Sequence, residues 1–183
     1  MEEFKEFDKL EHADERNLHW CIFDPESGHS RQITKQDFYS ALSAITLNEK
    51  VPNTVLSQFN IAKNIAIYSW NCYSFHQVCE MKVYSTLEYA LKDRLEKQAP
   101  FPRLIRAAIS RGLVMDKGFS HIKTMSDKDP TEYCRTLANI MPKLRNSLAH
   151  GGSALHPGSL STLIICAEFI NQIYLNQPPE KYV

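Results

Sequence analysis

The feature that most constrains this fold is a helical hydrophobic period. It recurs from residue 35 to near the end of the chain, with Pro and Gly as punctuation. Its clearest stretch covers residues 72–98, where Val83, Leu87, Ala90, Leu91 and Leu95 share one stripe and Pro100 follows. A stripe that wide must be buried against other helices, because a lone amphipathic helix is only marginally stable in water. Residues 35–47 carry Phe38, Ala41, Leu42 and Ile45 at the same spacing. A further helix starts at Val51-Pro52 and runs to about Trp70, with Leu56, Phe59, Ala62, Ile65 and Ala66 in register. Residues 102–111 form a shorter amphipathic helix that Gly112 stops.

Residues 115–128 are polar and read as a loop or irregular stretch. Asp129-Pro130-Thr131-Glu132 is then a helix start: an N-cap Asp, a Pro in the first turn and a Glu at the third position. The expected buried stripe of that helix is Tyr133, Leu137, Ile140, Leu144 and Leu148. Pro142 lies inside it. A mid-helix Pro removes one backbone hydrogen bond and crowds the preceding turn, so a kink or break is expected near Met141. Gly151-Gly152 supplies the stop. A last helix from about Gly158 to Asn176 presents Leu160, Leu163, Ala167, Ile170 and Tyr174, and Pro178-Pro179 ends it.

The first 34 residues differ. Residues 1–17 are charged and lack an apolar period, as expected of a mobile arm or a short helix. In residues 19–34, Trp20, Ile22 and Ile33 flank Asp24-Pro25-Glu26-Ser27-Gly28, a turn signal that predicts a β-hairpin. The expected organisation is an arm and hairpin over 1–34, a helical domain over 35–178 and a short tail over 179–183. The fold class is mainly α: a bundle of four to five core helices with a small N-terminal β-hairpin.

Composition narrows the function. Five cysteines, an odd number with no Cys-x-x-Cys pair, argue against a disulfide framework or zinc ribbon. No apolar run approaches the ~18–20 residues of a membrane span, and the acidic start resembles no export signal, so a cytoplasmic protein with no membrane contact is expected. Formal net charge is zero, which speaks against a generic nucleic-acid coat. The charge is uneven, however. Residues 1–91 hold 8 Lys/Arg against 13 Asp/Glu, whereas residues 92–145 hold 12 against 6. The basic stretch runs directly into Leu144-Arg145-Asn146-Ser147-Leu148-Ala149-His150-Gly151-Gly152.

That segment gathers an arginine, an amide and a histidine. Arg offers a donor fork that fits phosphate, and His exchanges protons near neutral pH. On a straight helix Arg145 and His150 are about 140° apart, so they converge on one ligand only if the helix ends or distorts between them. Asn146 and His150, four apart, share a face. A His in the last turn before a Gly cap is also favoured by the helix dipole alone, so spacing leaves both readings open. Cys72, His76, Cys79 and Glu80 have helical metal-ligand spacing without a second ligand cluster, which reads as packing, and no metal is expected. Trp20 and Trp70 read as core or interface anchors. There is no phosphate-cradling Gly loop and no nucleophile elbow around Ser147, and no cofactor is expected.

The Arg-Asn-x-x-x-His pattern resembles the signature of the HEPN (higher eukaryote and prokaryote nucleotide-binding) family. The stretches Phe59-Asn60-Ile61-Ala62-Lys63-Asn64 through Tyr68-Ser69-Trp70, Tyr84-Ser85-Thr86-Leu87-Glu88-Tyr89-Ala90-Leu91-Lys92-Asp93-Arg94-Leu95 and Met141-Pro142-Lys143-Leu144-Arg145-Asn146-Ser147-Leu148-Ala149-His150-Gly151 are similar to bacterial members. These pieces fall across residues 51–176; the arm and hairpin lie outside them.

The resemblance implies an up-and-down bundle that usually forms a homodimer. In active members two copies of the motif meet at the dimer interface as one metal-independent endoribonuclease site. Carried onto this chain, His150 is the general acid/base at the 2′-hydroxyl or the leaving oxygen. Arg145 stabilises the charged phosphorane, and Asn146 positions His150 or the phosphate. An acidic residue on an early core helix often assists, which singles out Glu80 and Glu88; Glu88 also has Lys92 one turn on as a surface partner. Such proteins include toxins and phage-defence effectors, some held by an antitoxin or another regulatory protein. Other members are catalytically silent and bind a nucleotide, RNA or a protein partner.

Overall fold

The computed structural model describes residues 3–123, 129–152 and 158–177. Pro178-Pro179, the tail and the end of the 115–128 stretch lie outside these residues. Among them are six α-helices and one two-stranded antiparallel sheet: β1 (Cys21–Asp24), β2 (His29–Gln32), α1 (Lys35–Ser43), α2 (Asn53–Tyr68), α3 (Phe75–Leu95), α4 (Phe101–Ser110), α5 (Glu132–Ala149) and α6 (Ser159–Leu175). The chain is mainly helical, and no helix of the described residues is long and apolar enough to cross a membrane.

The centre of the packing is α3, which touches α2, α4, α5 and α6. Its buried face is the expected stripe, widened by Cys79, Glu80, Tyr84 and Thr86. Around it pack Phe59 and Ala62 of α2, Leu104 and Ile105 of α4, and Leu163, Phe169, Ile170 and Ile173 of α6. Each large side chain buried this way contributes about 1.5–3 kcal/mol.

Helix ends follow local chemistry. Thr34 caps α1 in a reciprocal box with Asp37: the Asp37 amide donates to Thr34 Oγ1 (3.1 Å), and the Thr34 amide donates to Asp37 Oδ2 (2.9 Å). The helix stops at Ser43, four residues before the expected end at 47. The reason is a polar clasp to α6: the Asn48 amide donates to Asn171 Oδ1 (2.8 Å), and Asn171 Nδ2 donates to the Thr46 carbonyl (3.0 Å). Similarly α3 starts at Phe75 and ends at Leu95 rather than spanning 72–98, because Glu96 adopts a left-handed conformation (φ 51°). The Lys97 amide then closes the turn onto the Lys92 carbonyl (3.2 Å). Gly112 and Gly151 close α4 and α5 in the same way.

Three expectations about α5 need correction. The helix starts at Glu132 after Thr131 and not after an N-cap Asp129, and the Asp116 carboxylate accepts from its Tyr133 and Cys134 amides (3.0 Å each). Pro142 does not break the helix, which is continuous from Glu132 to Ala149. Pro142 is itself buried, with Cys134, Leu137, Ala138 and Met141, and this packing outweighs one missing backbone bond. The buried stripe is also rotated. Ile140 and Leu144 are 46% and 42% exposed, while the smaller Cys134 and Ala138 face the core. Small side chains sit there because α3 and α4 both pack against α5.

The hairpin forms as expected, with Cys21 opposite Gln32 and Asp24 opposite His29. Asp24 organises its turn by accepting from the Glu26 amide (3.0 Å) and the Ser27 hydroxyl (2.8 Å). The N-terminal segment contains short 3-10 turns at Phe7–Lys9 and Glu15–His19. It is pinned by buried Asn17, whose side-chain amide donates to the carbonyls of Ser69 (2.8 Å) and Trp70 (3.0 Å). Trp70 is buried, and Trp20 is more than a third exposed.

Candidate functional site at the end of the fifth helix

The motif occupies the last turns of α5, and the turn after it is tightly specified. The Gly151 amide donates to the Leu148 carbonyl (3.3 Å) and the Gly152 amide to the Ser147 carbonyl (2.8 Å), with Gly151 at φ 77°. This left-handed stop favours Gly at 151. Position 152 is sterically closed: a Cβ there would lie 2.6 Å from Ser147 Oγ and 2.9 Å from its carbonyl oxygen. Gln77 of α3 ties the turn down by donating to the Gly152 carbonyl (3.2 Å).

Since the helix is regular up to Ala149, Arg145 and His150 stay on different sides of it. Arg145 turns toward α3. Its guanidinium donates to Glu88 Oε2 (3.2 Å) and to Asn146 Oδ1 (3.3 Å). The other Glu88 oxygen takes Lys92 Nζ at 2.8 Å, so one carboxylate holds two cations. The three side chains are partly buried, Arg145 at 36% exposure and Glu88 at 15%. The Glu88–Lys92 pair expected from their spacing is joined by one to Arg145, 57 residues away. His150 sits in the capping position, exposed, and its imidazole makes no hydrogen bond or ion pair with a described residue. Asn146 is exposed beside it. Within one chain, side-chain hydrogen bonds join Arg145 to Asn146 and to Glu88, and none joins the His150 imidazole to them.

Glu80 is in another setting. It is only 2% exposed and accepts from the Thr162 hydroxyl of α6 (3.0 Å). It lines a cavity of about 130 Å³ between α5 and α6, floored by α3, together with Tyr84, Leu144, Leu148, Gly152 and Thr162. Burial pushes the Tyr84 phenol far above its usual range, so it stays a neutral hydroxyl. Burial also raises the Cys79 thiol to about 12 and raises Cys166, leaving both inert as nucleophiles. His76 is buried against Tyr73 and Phe38, with Nδ1 2.6 Å from Ser159 Oγ, and serves packing. Larger hollows of about 530 and 390 Å³ flank the N-terminal segment and contain no motif residue.

Tyr84 and Thr162 are the site residues that sequence reasoning missed. One signal was present: Glu80 lies three and seven residues before Val83 and Leu87, on the apolar stripe, where a carboxylate is out of place. Thr162 had no comparable signal.

Compared with family models, with curated proteins and with solved structures, the chain matches none. Fold and site together define a helical domain whose fifth helix ends in Arg-Asn-x-x-x-His beside a small cavity that Glu80 lines.

Proposed function

We propose that this chain is a metal-independent endoribonuclease of the HEPN type, acting as a homodimer. The observation that carries the reading is the division of labour at the end of α5. Arg145 is steadied by Glu88, while the His150 imidazole is exposed to solvent and uncommitted to any described residue. Arg145 keeps donors for a phosphate beyond the two bonds it makes.

The chemistry is an attack of the ribose 2′-oxygen on the adjacent phosphorus. The P–O5′ bond breaks, leaving a 2′,3′-cyclic phosphate and a 5′-hydroxyl. One His150 takes the 2′-hydroxyl proton, the second copy's His150 protonates the departing oxygen, and Arg145 stabilises the charged phosphorane. Asn146 orients the phosphate or the imidazole. DNA lacks the attacking hydroxyl and is not cut. Exposed Ile140 and Leu144 on α5, with Val78 and Met81 on α3, supply apolar surface for the second copy. An antitoxin or other regulatory protein covering this helix end would silence it.

A second reading is favoured by the Glu88 contact itself. A guanidinium already paired with a carboxylate suits a silent module that binds a nucleotide, RNA or a protein. Incubation of labelled single-stranded RNA with purified protein in excess EDTA separates the two. Cleavage to products with 2′,3′-cyclic phosphate ends, lost in Arg145→Ala, supports the nuclease. Intact RNA across several sequences contradicts it.

A further inference from the structure

We propose that the exposed face of α5 leading to His150, with the α4 residues beside it, is a track for the sugar–phosphate backbone of single-stranded RNA. Asn139, Lys143, Asn146 and His150 are all exposed and follow one another at intervals of four, three and four residues. That spacing puts them on one side of a regular helix, over roughly 16 Å of its length. The track continues onto α4, where Arg106 donates to Asn139 Oδ1 (3.1 Å). Arg103 lies one turn before Arg106 and is exposed like it.

Charge selects the occupant. Helices α4 and α5 carry five cations, Arg103, Arg106, Arg135, Lys143 and Arg145, against one carboxylate, Glu132. Arg135 is paired with Asp129 and Arg145 with Glu88. Arg103, Arg106 and Lys143 have no carboxylate partner among the described residues. Cations grouped in this way set up a positive potential, and a polyanion that meets it releases its own counterions. The two arginines add donor forks that match phosphate oxygens. Asn139 accepts from Arg106 through its oxygen and keeps its N–H donors for a phosphate or a sugar hydroxyl. Glu132 ends the favourable stretch on α5, two turns beyond Asn139, so the strand passes there onto α4. Its other end lies at the His150 imidazole. Exposed Ile140 and Leu144 lie to one side of the stripe, which leaves them for the second copy. A single strand fits better than a duplex, because in-line attack by the 2′-oxygen needs a backbone free to leave the A-form helix. Backbone contacts position a strand without reading its sequence. As a guide toward His150 the track rests on the ribonuclease reading; as a binding surface it does not.

The test is fluorescence anisotropy of the full chain with a labelled single-stranded RNA whose riboses are all 2′-O-methylated, so that 2′-attack cannot cut it. Affinity is measured across a salt series. Arg106→Gln with Lys143→Gln lowers the log–log salt slope by about 1.4, the share of two phosphate contacts on a single strand, which is roughly 25-fold weaker binding at 0.1 M salt. Lys35→Gln with Lys50→Gln removes as much charge at exposed positions on α1 and before α2, and leaves the slope unchanged. Arg106→Lys with Lys143→Arg keeps both charges and restores the wild-type slope. Equal weakening by the two glutamine pairs, wild-type affinity in Arg106→Gln with Lys143→Gln, or no binding by the wild type at low salt overturns the proposal. Cleavage of unmodified RNA separates the two readings. Cutting by the wild type, with no change of slope in the variant, leaves the nuclease and removes the track. A changed slope without cutting does the reverse.

Discussion

Glu80 and Glu88 sit on the same helix, about 12 Å apart along its axis, and have different fates. Glu80 is buried facing α6 and the end of α5, and the Thr162 hydroxyl donates to it. Glu88 lies beside Arg145 and Lys92 near the surface. The residue type and the helix are the same, so the neighbouring element sets the role. Burying a carboxylate is expensive unless hydrogen-bond donors meet it, so Glu80 belongs to the packing of α3 against α6. A surface ion pair contributes only ~0–1 kcal/mol, so the value of Glu88 lies in where it holds Arg145.

Kinetics give the widest separation between the two. Under the nuclease reading, Arg145→Ala lowers kcat about 10²–10³-fold, the range for losing one donor to a developing oxyanion. Glu88→Gln acts through Arg145 and lowers kcat about tenfold with KM unchanged. A Glu88→Gln enzyme with wild-type kcat would make Glu88 a surface residue only. Stability reverses the ranking. In urea unfolding, Glu80→Ala costs about 2–3 kcal/mol, because Thr162 loses its partner and a void opens. Glu88→Ala costs less than about 1 kcal/mol, and 1 M salt erases that difference. Equal costs for the two would dissolve the contrast.

A third carboxylate sharpens it. Asp14 is held down to a pKa of about 2, chiefly by hydrogen bonds from the Arg16 guanidinium and also by the Tyr73 amide. A folded-state pKa below the unfolded one contributes stability at higher pH and loses it in acid. The difference between wild type and Asp14→Asn is therefore constant above about pH 4 and shrinks as pH falls toward 2. It amounts to at most ~2 kcal/mol after solvent screening. The smallest effect is at Glu96, which adopts φ 51° where Gly112 and Gly151 end their helices. Glu96→Gly is expected to raise stability by about 0.5–1 kcal/mol in the same unfolding experiment.

Punctuation made most of this fold legible. Gly112, Gly151 and Pro52 mark helix ends that the structure keeps within a residue or two, because those residues restrict the backbone whatever surrounds them. Periodicity misplaces the α5 stripe because it ranks positions by hydrophobicity. It selects Ile140 and Leu144 over Cys134 and Ala138, which fit where neighbouring helices approach closely. The clasp of Asn48 to Asn171 and the pairing of Glu88 with Arg145 join residues 123 and 57 positions apart, so no local pattern records them. The motif at 145–150 was visible as a string. Its separation into a steadied arginine and a free-standing histidine emerged only with the intact helix between them.

The central claim is that His150 stands at the end of α5 for chemistry and not to close the helix. The direct measurement is RNA cleavage per folded molecule for His150→Ala, made beside thermal unfolding of the same preparation. The account predicts at least a hundredfold loss of cleavage with Tm within about 2 °C of the wild type. Full cleavage, or a loss that merely follows a Tm lowered by many degrees, contradicts it.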